Sequence, residues 1–303
     1  MTSRTIPNLF LIGAPKSGTT SLAYYMSQHP SIFVAPTKEP HFFCPEFTPR
    51  FVRNGNAYAS LFGGARDQHR WVAEASTLYM YFQESIARIV AYNPDARFIA
   101  MLRDPLKMVP SWYAHLCASP NILEDCKTLD EAWSLVESRK RGERIPNGCQ
   151  VPPLLFYDEI AKYHKQLQML WRCVPRNRIH VIIFEKFHED PRESFSELCD
   201  FLEIPRCPTI RFAVKNARKA WRSETFRSVV SNPIVPRLRD ALYSIGLWDV
   251  VRSLKPLVYR DQQTVPVSRR IQEEICACYR EDVSALRTLL ALPLEGWLKT
   301  DSQ

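Results

Sequence analysis

The stretch from Asn8 to Met26 constrains the fold more than any other part of this chain. Asn8 to Ile12 is a short apolar run closed by Gly13, the pattern of a strand buried on both faces. Lys16-Ser17-Gly18-Thr19-Thr20 follows, and Ser21-Leu22-Ala23-Tyr24-Tyr25-Met26 then reads as a helix stopping near His29-Pro30. Strand, tight glycine loop and helix in that order gather backbone N–H groups and hydroxyls at a helix N-terminus, where an anion is stabilised. The loop Gly13-Ala14-Pro15-Lys16-Ser17-Gly18-Thr19-Thr20 is not a Walker A sequence. Its lysine precedes the second glycine, whereas in G-x-x-x-x-G-K-[ST] the lysine follows it.

The strand-then-helix order recurs downstream. Ile32-Phe33-Val34 is a second apolar stretch, leading into Thr37-Lys38-Glu39-Pro40-His41-Phe42-Phe43. Arg97–Leu102 reads as a strand ending at Arg103-Asp104-Pro105, and the helix after it carries Ser111, Tyr113 and His115. Tyr157 to Trp171 has helical spacing, with Ile160, Leu167 and Leu170 on one side; Arg178–Phe184 is a third strand, followed by an acidic turn at Glu185 and a helix through Leu202. Alternating strands and helices predict an α/β fold of three layers, a central parallel sheet flanked by helices on both faces. Ligands in such sheets sit at the carboxyl ends of the strands, where both the Gly13 loop and Arg103 fall. Pro233, Pro236, Pro256 and Pro266 break a later stretch into short helices, and Ser268 to Leu290 reads as a closing helix. No linker interrupts the chain, so a single domain over 1–303 is expected, with 225–267 as a substrate-side helical insertion or lid.

Composition narrows the partners. The 303 residues carry a formal net charge of +8, which suits an anionic ligand. Arg211 to Arg227 holds six cationic residues with Phe212, Trp221 and Phe226 interleaved, the composition of a nucleic-acid-binding surface. That reading leaves the phosphate loop without a purpose, so no nucleic-acid partner is expected. No apolar run approaches the roughly 20 residues of a membrane span, and Met1 to Pro7 lacks the apolar core of a secretory signal. The nine cysteines show no paired C-x-x-C spacing and read as buried, reduced thiols, with no metal site. A cytoplasmic protein without an integral membrane segment is the expectation.

G-x-P-K-[ST]-G-T-[ST] at Gly13–Thr20, followed by R-D-P-x-x-x-x-x-S-x-Y at Arg103–Tyr113, resembles the two cofactor motifs of the sulfotransferases that use 3′-phosphoadenosine 5′-phosphosulfate (PAPS). Lys38-Glu39-Pro40-His41-Phe42-Phe43 resembles a third element, found in the branch that contains the heparan sulfate sulfotransferases and bacterial relatives; Tyr163 and the strand ending at Glu185 are similar to later landmarks. The resemblance implies a P-loop-like sulfotransferase fold and direct, in-line transfer of a sulfuryl group to a hydroxyl, leaving 3′-phosphoadenosine 5′-phosphate (PAP), with no metal. It assigns Lys16 to the bridging oxygen, where charge develops. Ser17, Gly18, Thr19, Thr20 and Ser21 take the 5′-phosphosulfate, and Arg103 and Ser111 the 3′-phosphate. Asn216, Arg218 and Lys219 fall where the family folds a loop over the nucleotide. Glu39 becomes the general base, its pKa raised by burial beside Phe42 and Phe43, with His41 as the rival base and an ion pair with Lys38 or Lys16 as the structural alternative.

Departures bear on the acceptor. The heparan-type enzymes carry E-K-[ST]-P where this chain has Glu74-Ala75-Ser76-Thr77, without the lysine, and their C-terminal disulfide loop and membrane anchor have no counterpart. A strongly anionic glycosaminoglycan is therefore disfavoured, and a small-molecule, lipid, sugar or carrier-bound hydroxyl is expected. Tyr79-Met80-Tyr81-Phe82, Trp112-Tyr113 and Trp221 would suit a less charged acceptor or form core. The runner-up is a P-loop nucleotide-dependent kinase or phosphotransferase, which needs Mg²⁺ and a strand-end carboxylate such as Asp104. A catalytically dead binding protein is a further alternative, made unattractive by Lys16, Glu39, His41, Arg103 and Ser111 occurring together.

Overall fold

The computed structural model describes residues 6–50, 52–119, 124–213, 266–292 and 294–300, together with the backbone of residues 219–221 and 259–261. The expected α/β architecture is present. Strands β1 (Leu9–Gly13), β2 (Ile32–Val34), β3 (Trp71–Ala75), β4 (Arg97–Leu102) and β5 (Ile179–Ile183) form one sheet in the order β2-β3-β1-β4-β5. Every pairing is parallel. Strand β1 lies between β3 and β4, with Leu9 opposite both Ala73 and Arg97. The chain thus leaves β1 to one side and returns on the other, the arrangement that opens a crevice at the strands' carboxyl ends.

The pleat divides β1 between two cores. Leu9 and Leu11 pack with Leu22 and Met26 of helix α1 (Thr19–Met26) and with Leu198 and Leu202 of a later helix, Pro191–Leu202. On the opposite face Phe10 lies 5.9 Å from Phe98 and 6.0 Å from Phe43. Each fully buried side chain of this kind contributes about 1.5–3 kcal/mol, so both faces must be covered, as a parallel sheet requires. Strand β3 was not expected from the sequence: all five of its residues are buried, Glu74 among them, and the acid disguises an otherwise apolar run.

The chain divides into two compact units. The first, Met1–Val109, Asp158–Lys215 and Gln272–Gln303, holds the sheet, α1, α2 (Gly55–Ser60) and α3 (Glu84–Tyr92). The second is Pro110–Tyr157 and Asn216–Ile271. Helix α4 runs over Pro105–Ala118, and α5 (Leu129–Ser134) and α6 (Val136–Lys140) belong to the second unit. At the centre of that unit, Arg139 and Glu124 form a fully buried pair at 2.7 Å, and the Tyr157 hydroxyl donates to Glu124 at 2.6 Å. Trp112 and Tyr113 donate to the Leu154 and Cys126 carbonyls, and Tyr79 and Met80 are likewise buried. Tyr79, Trp112 and Tyr113 are thus core, whereas Tyr81 and Phe82 are half-buried; the Trp221 side chain lies outside the described residues.

Several boundaries differ from expectation. Helix α7 spans Tyr163–Cys173 rather than starting at Tyr157, because the Gln166 amide donates to the Glu159 and Ile160 carbonyls and so replaces a preceding helical turn. Glu185 is not in a turn: it lies in the first turn of α8 (Phe184–Glu189), which begins directly after β5, and α9 (Pro191–Leu202) follows with Asp190 as its N-cap. Residues 225–267 lie largely outside the described residues. Where backbone is described, Tyr259–Asp261 is a strand, antiparallel to Lys219–Trp221, its hydrogen bonds taken up by the ladder rather than by a short helix. The closing helix, α10, runs from Arg269 to Leu290. All nine cysteines are unbridged, but only Cys44, Cys126 and Cys199 are buried and Cys173 is exposed. No helix of the described residues is long and apolar enough to cross a membrane.

Candidate active site

Four strands of the first unit deliver side chains to one edge of the sheet. From β1 comes the loop that opens α1. A Cβ at Gly13 (φ +146°) would sit 2.7 Å from the Thr77 carbonyl oxygen, and one at Gly18 (φ +84°) 2.9 Å from the Phe184 ring, so both positions require glycine. Gly18 is the N-cap of α1, with no side-chain cap bond and no acid in the first turn. The N-terminus of α1 therefore presents uncapped N–H groups and the positive end of its dipole. Thr19 and Ser21 are buried and Thr20 half-buried there; Ser17 is buried, its hydroxyl donating to the Pro15 carbonyl.

From β2 comes the segment carrying Lys38, Glu39 and His41, pinned beside β3. Glu39 N–H donates to the Ala75 carbonyl at 2.8 Å, and His41 N–H donates to Ser76 Oγ at 3.0 Å. Lys38 Nζ donates to Thr20 Oγ1 at 2.5 Å and lies 3.3 Å from Glu39 Oε1; Thr77 Oγ1 donates to the same oxygen at 3.3 Å. His41 Nε2 is 3.9 Å from Glu39 Oε2. Lys16, Glu39 and His41 all adopt positive φ, at +62°, +61° and +50°. For side-chain-bearing residues that conformation costs on the order of 1–3 kcal/mol each, and such residues cluster at active sites.

Burial is distributed otherwise than expected. The Glu39 side chain is 40% exposed, because its left-handed backbone and Pro40 turn the carboxylate toward Lys38 and Thr77. Phe42 instead stacks on Tyr58 at 4.2 Å, and Phe43 packs on Phe10. Lys38, one of the two expected partners, forms an ion pair with Glu39. His41 is the buried member, 3% exposed; burial pushes its pKa down to about 4, the Glu39 charge opposing, so at neutral pH the ring is uncharged.

The carboxyl that lies among aromatics is Glu74. Burial pushes it up to about 7, against the hydroxyls of Ser76, Tyr58 and Tyr79. Tyr58 and Tyr79 donate to Glu74 Oε2 at 2.9 and 3.0 Å, and Tyr79 Oη accepts from Phe43 N–H at 3.3 Å. Ser76 and Tyr79 thus carry two backbone N–H groups of the His41 loop while standing against one buried acid. Glu74 is an acid inside the otherwise apolar run Trp71–Ala75, and that placement is its signal in the sequence.

From β4 comes Arg103. Its Nη1 donates to the Lys16 carbonyl at 2.9 Å and its guanidinium lies 4.6 Å over the Phe184 ring, so it braces the loop. Asp104 Oδ1 accepts from Leu106 N–H and Leu298 N–H, and Glu185 accepts from Asp104 N–H and Trp297 Nε1–H. The Tyr163 hydroxyl is buried against Ser17 and Arg103. Ser111 is buried in the second turn of α4, whereas His115 is exposed with its ring 5.3 Å from Trp112. Asn216 and Arg218 lie outside the described residues; Lys219 is placed only as backbone in a strand.

This combination of sheet order, glycine loop and strand-end side chains has counterparts among known proteins. Residues 7–235 match the sulfotransferase domain family, and the chain belongs to it. It is 26% identical over 228 residues to the human (Homo sapiens) heparan sulfate glucosamine 3-O-sulfotransferase 6, covering 72% of this chain and 58% of that protein. It is 30% identical over 282 residues to the membrane-associated sulfotransferase kil1 of Dictyostelium discoideum, covering 70% and 59%. The chain therefore spans under three fifths of the length of these curated relatives. The crystal structure of a sulfotransferase from Alicyclobacillus acidocaldarius superposes with a TM-score of 0.69 at 27% identity, covering 97% of this chain and all of that one.

Proposed function

We propose that this chain, acting as a single catalytic domain, moves a sulfuryl group from PAPS to a hydroxyl of a small-molecule, lipid, carbohydrate or carrier-bound acceptor. The observation that carries the reading is the meeting of an acid-free, uncapped helix N-terminus with Lys16, Lys38 and a reachable carboxylate, Glu39, at one edge of the sheet. The donor's anionic groups fit such a cradle: Gly13 and Gly18 leave room that a Cβ would fill, and Thr19 and Thr20 open the helix. When bound, the donor supplies a sulfur whose bond to the phosphate oxygen breaks as the acceptor oxygen attacks.

The chain's residues divide the remaining work. Lys16, with Ser17 to Ser21 around it, neutralises charge where it grows on the departing phosphate oxygen. Arg103 supports that lysine through its carbonyl, and we assign it with Ser111 to the donor's 3′-phosphate; Asn216, Arg218 and Lys219 are assigned to the covering loop. Glu39 is the better base because an acceptor can reach it, whereas His41 is buried and uncharged; His41 orients the carboxylate. The nine unbridged cysteines support a reducing compartment, such as the cytoplasm. The kinase reading is disfavoured by Lys16, which precedes Gly18 instead of following it as the lysine of a Walker A loop does.

Calorimetric titration of PAP into wild type and Lys16→Ala, with Mg-ATP as control, tests the proposal. Micromolar PAP binding without Mg²⁺, weakened at least tenfold in Lys16→Ala and absent for ATP, is expected. Tight Mg-ATP binding with indifference to PAP would overturn it.

A further inference from the structure

Lys38 touches both halves of the site. Its ammonium donates to Thr20 Oγ1 at 2.5 Å, lies 3.4 Å from Thr19 Oγ1 at the mouth of α1, and is 3.3 Å from Glu39 Oε1. The side chain is 30% exposed, and a lysine bears three N–H donors on a flexible four-carbon stem. It can therefore exchange partners without backbone movement. At 3.3 Å the ammonium stabilises Glu39 as a carboxylate, and a carboxylate so paired is a weaker proton acceptor. An anion arriving at Thr19 and Thr20 offers the same ammonium a competing partner, at the start of a helix whose dipole already favours negative charge.

On the footing that PAPS binds at α1 as proposed above, we infer that Lys38 is a further catalytic residue: it leaves Glu39 for the sulfuryl oxygens of the donor, so that donor binding releases the base. The proton of the acceptor hydroxyl then passes to the Glu39 carboxylate and the acceptor oxygen bonds to sulfur. The S–O bond to the 5′-phosphate breaks, its electron pair remaining on the phosphate oxygen that Lys16 neutralises. Lys38 neither gains nor loses a proton; it adds a second positive charge at the group in transit.

The test uses the fact that PAP lacks the sulfuryl group. PAP and PAPS are titrated calorimetrically into wild type, Lys38→Met, Lys38→Gln and Lys38→Arg. Wild type is expected to bind PAPS more tightly than PAP. Both neutral variants are expected to lose about tenfold in PAPS affinity while PAP affinity changes less than threefold, and Lys38→Arg to keep most of the preference. Equal losses for the two ligands, or no loss in either neutral variant while wild type binds PAP, overturn the role of Lys38 and leave the donor assignment standing. Failure of wild type to bind either nucleotide overturns that assignment and this inference with it.

Discussion

Replacing Glu74 with Gln should make the protein's stability less dependent on pH, by an amount the structure sets. The Glu74 side chain is wholly buried on β3, and burial pushes its pKa from an ordinary 4.5 up to about 7. A carboxyl whose pKa is higher in the folded than in the unfolded state binds more protons when folded. The stability it contributes is thus present below pH 4.5 and is lost as pH rises through 7. The rise from 4.5 to about 7 corresponds to about 3 kcal/mol in full, most of it falling between pH 5 and pH 8. Gln keeps the shape and an oxygen able to accept from Tyr58 and Tyr79, but does not titrate. Urea unfolding of both proteins at pH 5 and pH 8 measures the effect, and titrating groups elsewhere cancel in the difference. Relative to wild type, Glu74→Gln should gain about 2–3 kcal/mol on going from pH 5 to pH 8. Parallel pH profiles, within about 0.5 kcal/mol, would refute the argument that burial governs this carboxyl.

Three other perturbations have defined outcomes. Gly18→Ala places a Cβ 2.9 Å from Phe184 at φ +84°; it should cost about 1–3 kcal/mol in thermal unfolding and weaken PAP binding at least tenfold by calorimetry. Arg139→Met leaves Glu124 as an uncompensated buried charge and should lower unfolding free energy by about 3–5 kcal/mol, read from urea titration. His180, on β5, is pushed down to about 4 by burial. A depressed histidine pKa contributes stability that is present above pH 6.5 and lost as pH falls toward 4. His180→Phe, retaining the stack on Phe201, should accordingly hold more stability than wild type at pH 4.5 relative to pH 7.5 in the same assay.

What the chain announces locally, the structure repeats. Strands β1, β4 and β5 come from predominantly apolar runs, and the loop between β1 and α1 follows from two glycines whose positive φ no other residue takes comfortably. These are short-range matters of sterics and periodicity, so they are legible without a partner. Strand β3 was not, because Glu74 interrupts its apolar run, and the start of α7 was not, because Gln166 satisfies carbonyls that a helix would have used. Contacts across long separations were equally hidden: Arg103 reaches the Lys16 carbonyl, and Trp297 and Leu298 reach Glu185 and Asp104.

By itself, the sequence determined that a glycine loop opens a helix after a buried strand, and that Lys38, Glu39 and His41 arrive together from the next. Only the tertiary structure decided which acid is which. Glu39, expected among phenylalanines, stands partly in water beside Lys38, and Glu74, passed over in the sequence, takes the buried place among Tyr58, Tyr79 and Ser76. The reason is that desolvation depends on what the folded chain packs over a carboxyl, not on which residues adjoin it in sequence.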